Sequence, residues 1–234
     1  CTGNLARIYA ALGRTDEALV FYQRALRNDH ARTAADSVNL ATTLSELGDL
    51  YLGLGRMDEA QAQFTRALAI GSAIHDNAQM AMANRGFGTI ALMRKDYAKG
   101  LRFLRAAVVQ FRESGFMRID QARTIADMGY CLAHLGQLDS AQLNFDRVRT
   151  IAVEMHSPVA LAEHYRAMEF LDSLRGDWEG AYRNGIRFHV LQDSIAGSAS
   201  SEKVVRAQLH YEEEKRDLVE RAAQEKRDIR QRTI

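Results

Sequence analysis

At 234 residues and 47% hydrophobic content the chain can bury a sizeable core, and 16 Gly against a single Pro exclude a turn-rich all-β protein. Its 31 basic and 30 acidic residues leave a formal charge of +1, which excludes the basic footprint of a nucleic-acid or membrane-surface binder. The two cysteines, Cys1 and Cys131, form neither a disulfide framework nor a spaced metal pattern, and no stretch reaches the ~20 apolar residues of a membrane span.

In chain order the first element pair is "LARIYAALGRTDEALVFYQRAL", an apolar helix, a glycine, an acidic turn and a second apolar helix. The second is "LGDLYLGLGRMDEAQAQFTRAL", built the same way, and three weaker copies follow. The small residue of each second helix falls at Ala18, Ala60, Gly100, Ala141 and Ala181, so the period is about forty residues. Gly13, Gly55, Gly136 and Gly176 close the first helices, and Lys95 holds that place in the third unit. Asp16, Glu17, Asp58, Glu59 and Asp139 put negative charge at the next helix N-terminus. Each unit is therefore expected to be an antiparallel helical hairpin, with no strand anywhere. Trp178, at the start of the last second helix, is expected to pack in the core.

The repeat resembles the tetratricopeptide repeat. In the second unit the small-residue and aromatic signature falls on Gly48, Tyr51, Gly55, Ala60, Phe64 and Ala67, and in the first on Ala6, Tyr9, Gly13, Ala18, Tyr22 and Ala25. The third and fourth units offer Gly88, Ala107, Gly129 and Phe145, while the fifth keeps Gly176 and Ala181 but has Glu169 where a small residue is expected. The resemblance implies an all-α fold, a right-handed superhelix of five helical hairpins over residues 1–198, followed by a long C-terminal helix over 199–234. It also implies a concave face that binds a protein or peptide.

No nucleophile with a base, no paired carboxylates in a pocket and no i, i+4 His pair emerges from the residue pattern, so no catalytic, metal or cofactor residue is assigned. Cys131 and His134 lie one turn apart without further ligands, and Cys131 reads as a packed apolar residue. In this repeat family the first helix of each unit lines the inner face. Alignment then gives Arg7, Ser45 with Asp49, Arg85 with Thr89, Tyr130, and Arg166 with Phe170 as candidate partner contacts. The Lys and Asn clamp with which such repeats grip a terminal carboxylate is absent, and the arginines suit an acidic peptide.

"GSAS" at residues 197–200 breaks the array, and the dense charge beyond it carries a sparse apolar seam at Val204, Tyr211, Leu218, Ala222 and Ile229. Some thirty helical residues would span roughly 45 Å. "LQDSI" at Leu191 to Ile195 and "YEEEKRD" at Tyr211 to Asp217 resemble the end of the repeat region in membrane-anchored sensors of the Bacteroidetes type. There a helix and a membrane span lead to a histidine kinase or helix-turn-helix output. That resemblance implies a non-enzymatic sensor domain outside the inner membrane, with no nucleic-acid contact of its own. It also implies membrane contact only beyond Ile234, and a homodimer whose seam is Tyr211, Leu218, Ala222 and Ile229. The alternative is a free-standing cytosolic scaffold or adaptor.

Overall fold

The computed structural model describes residues 2–28, 33–115, 118–195 and 197. The chain divides into two units, Cys1–Leu191 and Gln192–Ile234, and the terminal seam expected from the sequence lies outside the described residues. Ten helices account for nearly all of what is described, and no strand occurs among those residues. They are α1 (Thr2–Ala11), α2 (Thr15–Asn28), α3 (Ala34–Gly53), α4 (Met57–Ala73), α5 (Asn77–Met93), α6 (Tyr97–Ser114), α7 (Arg118–His134), α8 (Leu138–Glu154), α9 (Pro158–Arg175) and α10 (residues 178–195). Odd-numbered helices are the first members of hairpins and even-numbered helices the second.

Each hairpin turns where the sequence places its stop signal. Gly13, Gly55, Gly136 and Gly176 all adopt φ between 72° and 76°, and Lys95 takes the same left-handed conformation at 61°. The residue after each donates its N–H five places back, Arg56 to the Tyr51 carbonyl at 2.9 Å and Asp96 to that of Ala91 at 2.8 Å. These bonds satisfy carbonyls that the helix end leaves open. Connections between hairpins use other devices. Asp76 and Ser157 cap α5 and α9 with their side chains, and Thr33 with Asp36 forms a reciprocal capping box at α3.

The signature residues are explained by one contact repeated along the array. Phe64 of α4 is fully buried between two glycines, Gly48 of α3 and Gly86 of α5. A methyl built on Gly48 would stand 2.7 Å from the Phe64 ring, and one on Gly86 would meet that ring as well. Phe145 of α8 meets Gly129 of α7 in the same way. An aromatic from the second helix thus needs bare backbone on the first helix beside it. Around Phe64 gather Tyr22, Leu44, Leu47, Tyr51 and Ile90, while Leu101, Leu104, Cys131, Phe145 and Leu171 form a second cluster farther along. Cys131 is buried as the sequence implies, and its thiol is pushed up to about 12, first by burial and then by Asp127.

Trp178 departs from expectation. It is 71% exposed at the start of α10, on the face that α6 turns, through Tyr97, toward the first helix that follows it.

Candidate partner-binding surface

The eight candidate contacts all lie on the first helices, and the structure sorts them by depth. Arg7 and Arg166 are exposed; Asp49, Thr89, Tyr130 and Phe170 are half-buried; Ser45 and Arg85 are buried. Their polar groups do not point independently into solvent. Except for the Ser45 hydroxyl, which is buried without a hydrogen-bond partner, they join neighbouring first helices.

Arg7 of α1 lies 3.8 Å from Glu46 of α3, whose other oxygen accepts the Tyr22 hydroxyl at 3.3 Å. Arg85 of α5 donates to Asp49 of α3 at 2.5 Å. Thr89 of α5 donates its hydroxyl to Asp127 of α7 at 2.8 Å. Tyr130 of α7 donates to Glu163 of α9 at 3.3 Å, and Arg166 donates to the same carboxylate at 2.6 Å. A polar rung therefore links every adjacent pair of first helices. The Tyr130 ring meets Phe145 and Phe170, each with centroids 5.3 Å away, and His134 stacks on Tyr97.

The middle of this row is electrostatically uneven. Burial alone would lower the Arg85 pKa, yet Asp49, Asp120 and Asp127 outweigh it and hold the guanidinium charged. The Asp127 carboxyl is pushed up to about 6 by burial, against the opposing pull of the Thr89 hydrogen bond and Arg85. The Glu46 carboxyl is also raised, first by burial and then, against Arg7 and Tyr22, by Asp49 and Asp120. The Tyr130 hydroxyl is raised by burial and by the charge of Glu163. Three carboxylates, Asp49, Asp120 and Asp127, thus act on the one buried guanidinium at the centre of the row.

Glu46, Asp120, Asp127 and Glu163 were not among the residues singled out from the sequence. The available signal was their spacing, since each rung joins residues 33 to 39 positions apart, just under the repeat period. On the second helices a similar device appears. Arg94, just after α5, reaches Asp58 and Gln61 of α4, and Arg175, the last residue of α9, reaches Asp139 and Gln142 of α8. Among the described residues no three metal-ligating side chains converge, and no helix is long and apolar enough to cross a membrane.

Stacked helical hairpins with paired inner faces, without a strand among the described residues, define a helical repeat array. Residues 2–73 match the tetratricopeptide repeat family model, and the same hairpin continues to residue 195. No curated protein matches the chain's sequence. Among solved structures, RapI in its apo form is similar with a TM-score of 0.64, at 14% identity over 84% of this chain and 83% of its own. BtubC from P. vanneervenii gives 0.61, at 19% identity over 82% and 79%. A signal transduction ATPase with a tetratricopeptide repeat sensor, from Pyrococcus horikoshii, gives 0.54 at 15% identity, covering 86% of this chain and 37% of that one. Similarity at these identities establishes the fold, an all-α tetratricopeptide-repeat superhelix.

Proposed function

We propose that the chain is a non-enzymatic sensor or interaction domain of a signalling protein, and that its first-helix face binds a peptide segment of a partner. The observation that supports this reading is the row of rungs from Arg7 to Phe170, which fixes a continuous polar and aromatic surface on helices held by their own packing. Ser45 and Arg85 act within the row as supports, and Arg7, Asp49, Tyr130, Arg166 and Phe170 as contacts. Arg85 is already committed to Asp49, Asp120 and Asp127 act on it as well, and Glu46 stands near Asp49 and Asp120. The middle of the face therefore suits a basic segment better than the acidic one its arginines suggest in sequence. A signalling role accords with the sensor named in the Pyrococcus horikoshii ATPase. Placement outside the inner membrane rests on the terminal motifs alone.

Selection from a peptide library graded in charge tests the binding face. Enrichment of Lys and Arg is expected, with affinity falling about tenfold in a Glu46→Gln, Asp120→Asn double variant and at raised salt. Binding with no charge preference, or untouched by the double variant, rejects this face. The signalling assignment has a separate test in the coding sequence beyond Ile234. An apolar span with a kinase or DNA-binding domain supports it, and an immediate stop codon supports the free-standing scaffold.

A further inference from the structure

Each second helix turns one face toward the first helix that follows it. Tyr97 of α6 stacks on His134 of α7 with centroids 4.3 Å apart. Gln61 of α4 and Gln142 of α8 accept from Arg94 and Arg175 on the following first helices. The counterparts on α10 are Trp178, in register with Met57, Tyr97 and Leu138, and Tyr182, in register with Gln61, Leu101 and Gln142. Ile186 stands where α4, α6 and α8 carry Thr65, Arg105 and Asp146. The last hairpin thus keeps the apolar character of a stacking face at Trp178 and Tyr182 and extends it to Ile186, the reverse of a face intended for water. Trp178, Tyr182, Ile186 and Val190 are 71%, 72%, 47% and 63% exposed and lie on a single i, i+4 row.

We propose that this stripe is a self-association surface, through which α10 pairs with α10 of a second copy of the chain, antiparallel about a two-fold axis. The row is self-complementary in that arrangement. Trp178 meets Val190 of the second copy and Tyr182 meets its Ile186, a large side chain against a smaller one at every step. An i, i+4 ridge is also the element that interdigitates in the commonest helix crossing, near −50°. Charge favours the same orientation. Antiparallel pairing brings Glu179 toward His189, whereas parallel pairing sets Arg183 and Arg187 each against itself. The two aromatics alone present on the order of 300 Å², a patch of the size that marks interaction sites and a substantial part of one partner's share of a stable interface.

Trp178 is the chain's single tryptophan, so its emission reports this face directly. The experiment is sedimentation velocity on the full chain, with tryptophan emission followed across a dilution series from about 100 µM downward. A dimer is expected whose emission moves to the red as it dissociates. Ile186→Glu is expected to raise the dissociation constant at least roughly tenfold with an unchanged far-UV spectrum, and Tyr182→Glu to do the same. A monomer with solvent-exposed emission at every concentration overturns the proposal. So does a monomer whose blue-shifted emission ignores dilution, which would show the stripe covered within one chain. A dimer that both variants leave intact overturns it too, by placing the pairing elsewhere, for example at Tyr211 to Ile229.

Discussion

Gly86 and Gly53 are both helical glycines, and their surroundings give them opposite roles. Phe64 occupies the space a side chain would take at Gly86, whereas a methyl at Gly53 meets nothing within 4 Å. Gly86→Ala is expected to cost roughly 1–3 kcal/mol through overpacking, and Gly53→Ala to be neutral or to stabilise by up to about 1 kcal/mol. Urea unfolding of the two variants decides it, and equal effects would refute the packing account. Asp127 makes a second prediction, through pH. Its folded pKa, about 6, lies above the ordinary carboxylate value, so the native state holds more protons than the unfolded state between about pH 4 and 6. Its contribution to stability is therefore present at low pH and is lost as pH rises through 6. Asp127→Asn should remove that dependence, and the stability gap between variant and parent should widen in the variant's favour from pH 4 to 7. A gap that is flat across that range would show that Asp127 ionises freely.

At the scale of the element, the hairpin was the most legible feature of the sequence, because its signals are local. A glycine closes the helix, an acidic turn opens the next, and a small residue meets an aromatic at fixed offset. Lys95 shows why even the exception was readable. It sits where four other units have glycine, and the six-residue bond from Asp96 to Ala91 forms around it regardless. Lys95→Gly should relieve the left-handed strain and stabilise by roughly 1 kcal/mol in thermal unfolding, and a loss of stability would show that the Lys95 side chain contributes more than its backbone costs. The candidate site was legible only in direction. Helical periodicity put Ser45 and Arg85 on the inner side, but depth depends on how closely the next first helix approaches, and that distance is set by contacts 33 to 39 residues away. It is the same reason that Glu46 and Asp127 escaped notice. Neither has a local partner, and each becomes part of a rung only when neighbouring hairpins stack. Trp178 failed for a related reason, since an aromatic at a stacking position is buried only if something stacks there.

Across the repeat array, the core is not one mass but a succession of clusters. Tyr22, Leu44, Leu47 and Phe64 belong to one; Leu104, Phe145 and Leu171 belong to another; Ala81, Met82, Ala107 and Phe111 form a small group of their own. A stacked array of this kind derives its stability from each hairpin and from the interfaces between neighbours, with no contact spanning its length. Damage should therefore remain local for as long as the neighbouring interfaces hold. Leu171 of α9 is fully buried among Leu132, Phe145 and Ala167, so Leu171→Ala is expected to cost about 2–5 kcal/mol at the α8–α9 interface. Native-state hydrogen exchange reads where that cost appears. Amides of α9 and α10 should lose protection first, while those of α3 and α4 around Phe64 keep the parent values. Phe64→Ala should give the converse, opening α3 to α5 and sparing α8 and α9. Protection that falls evenly along all ten helices in both variants would show a single cooperative unit, and the separation into clusters would then have no energetic meaning.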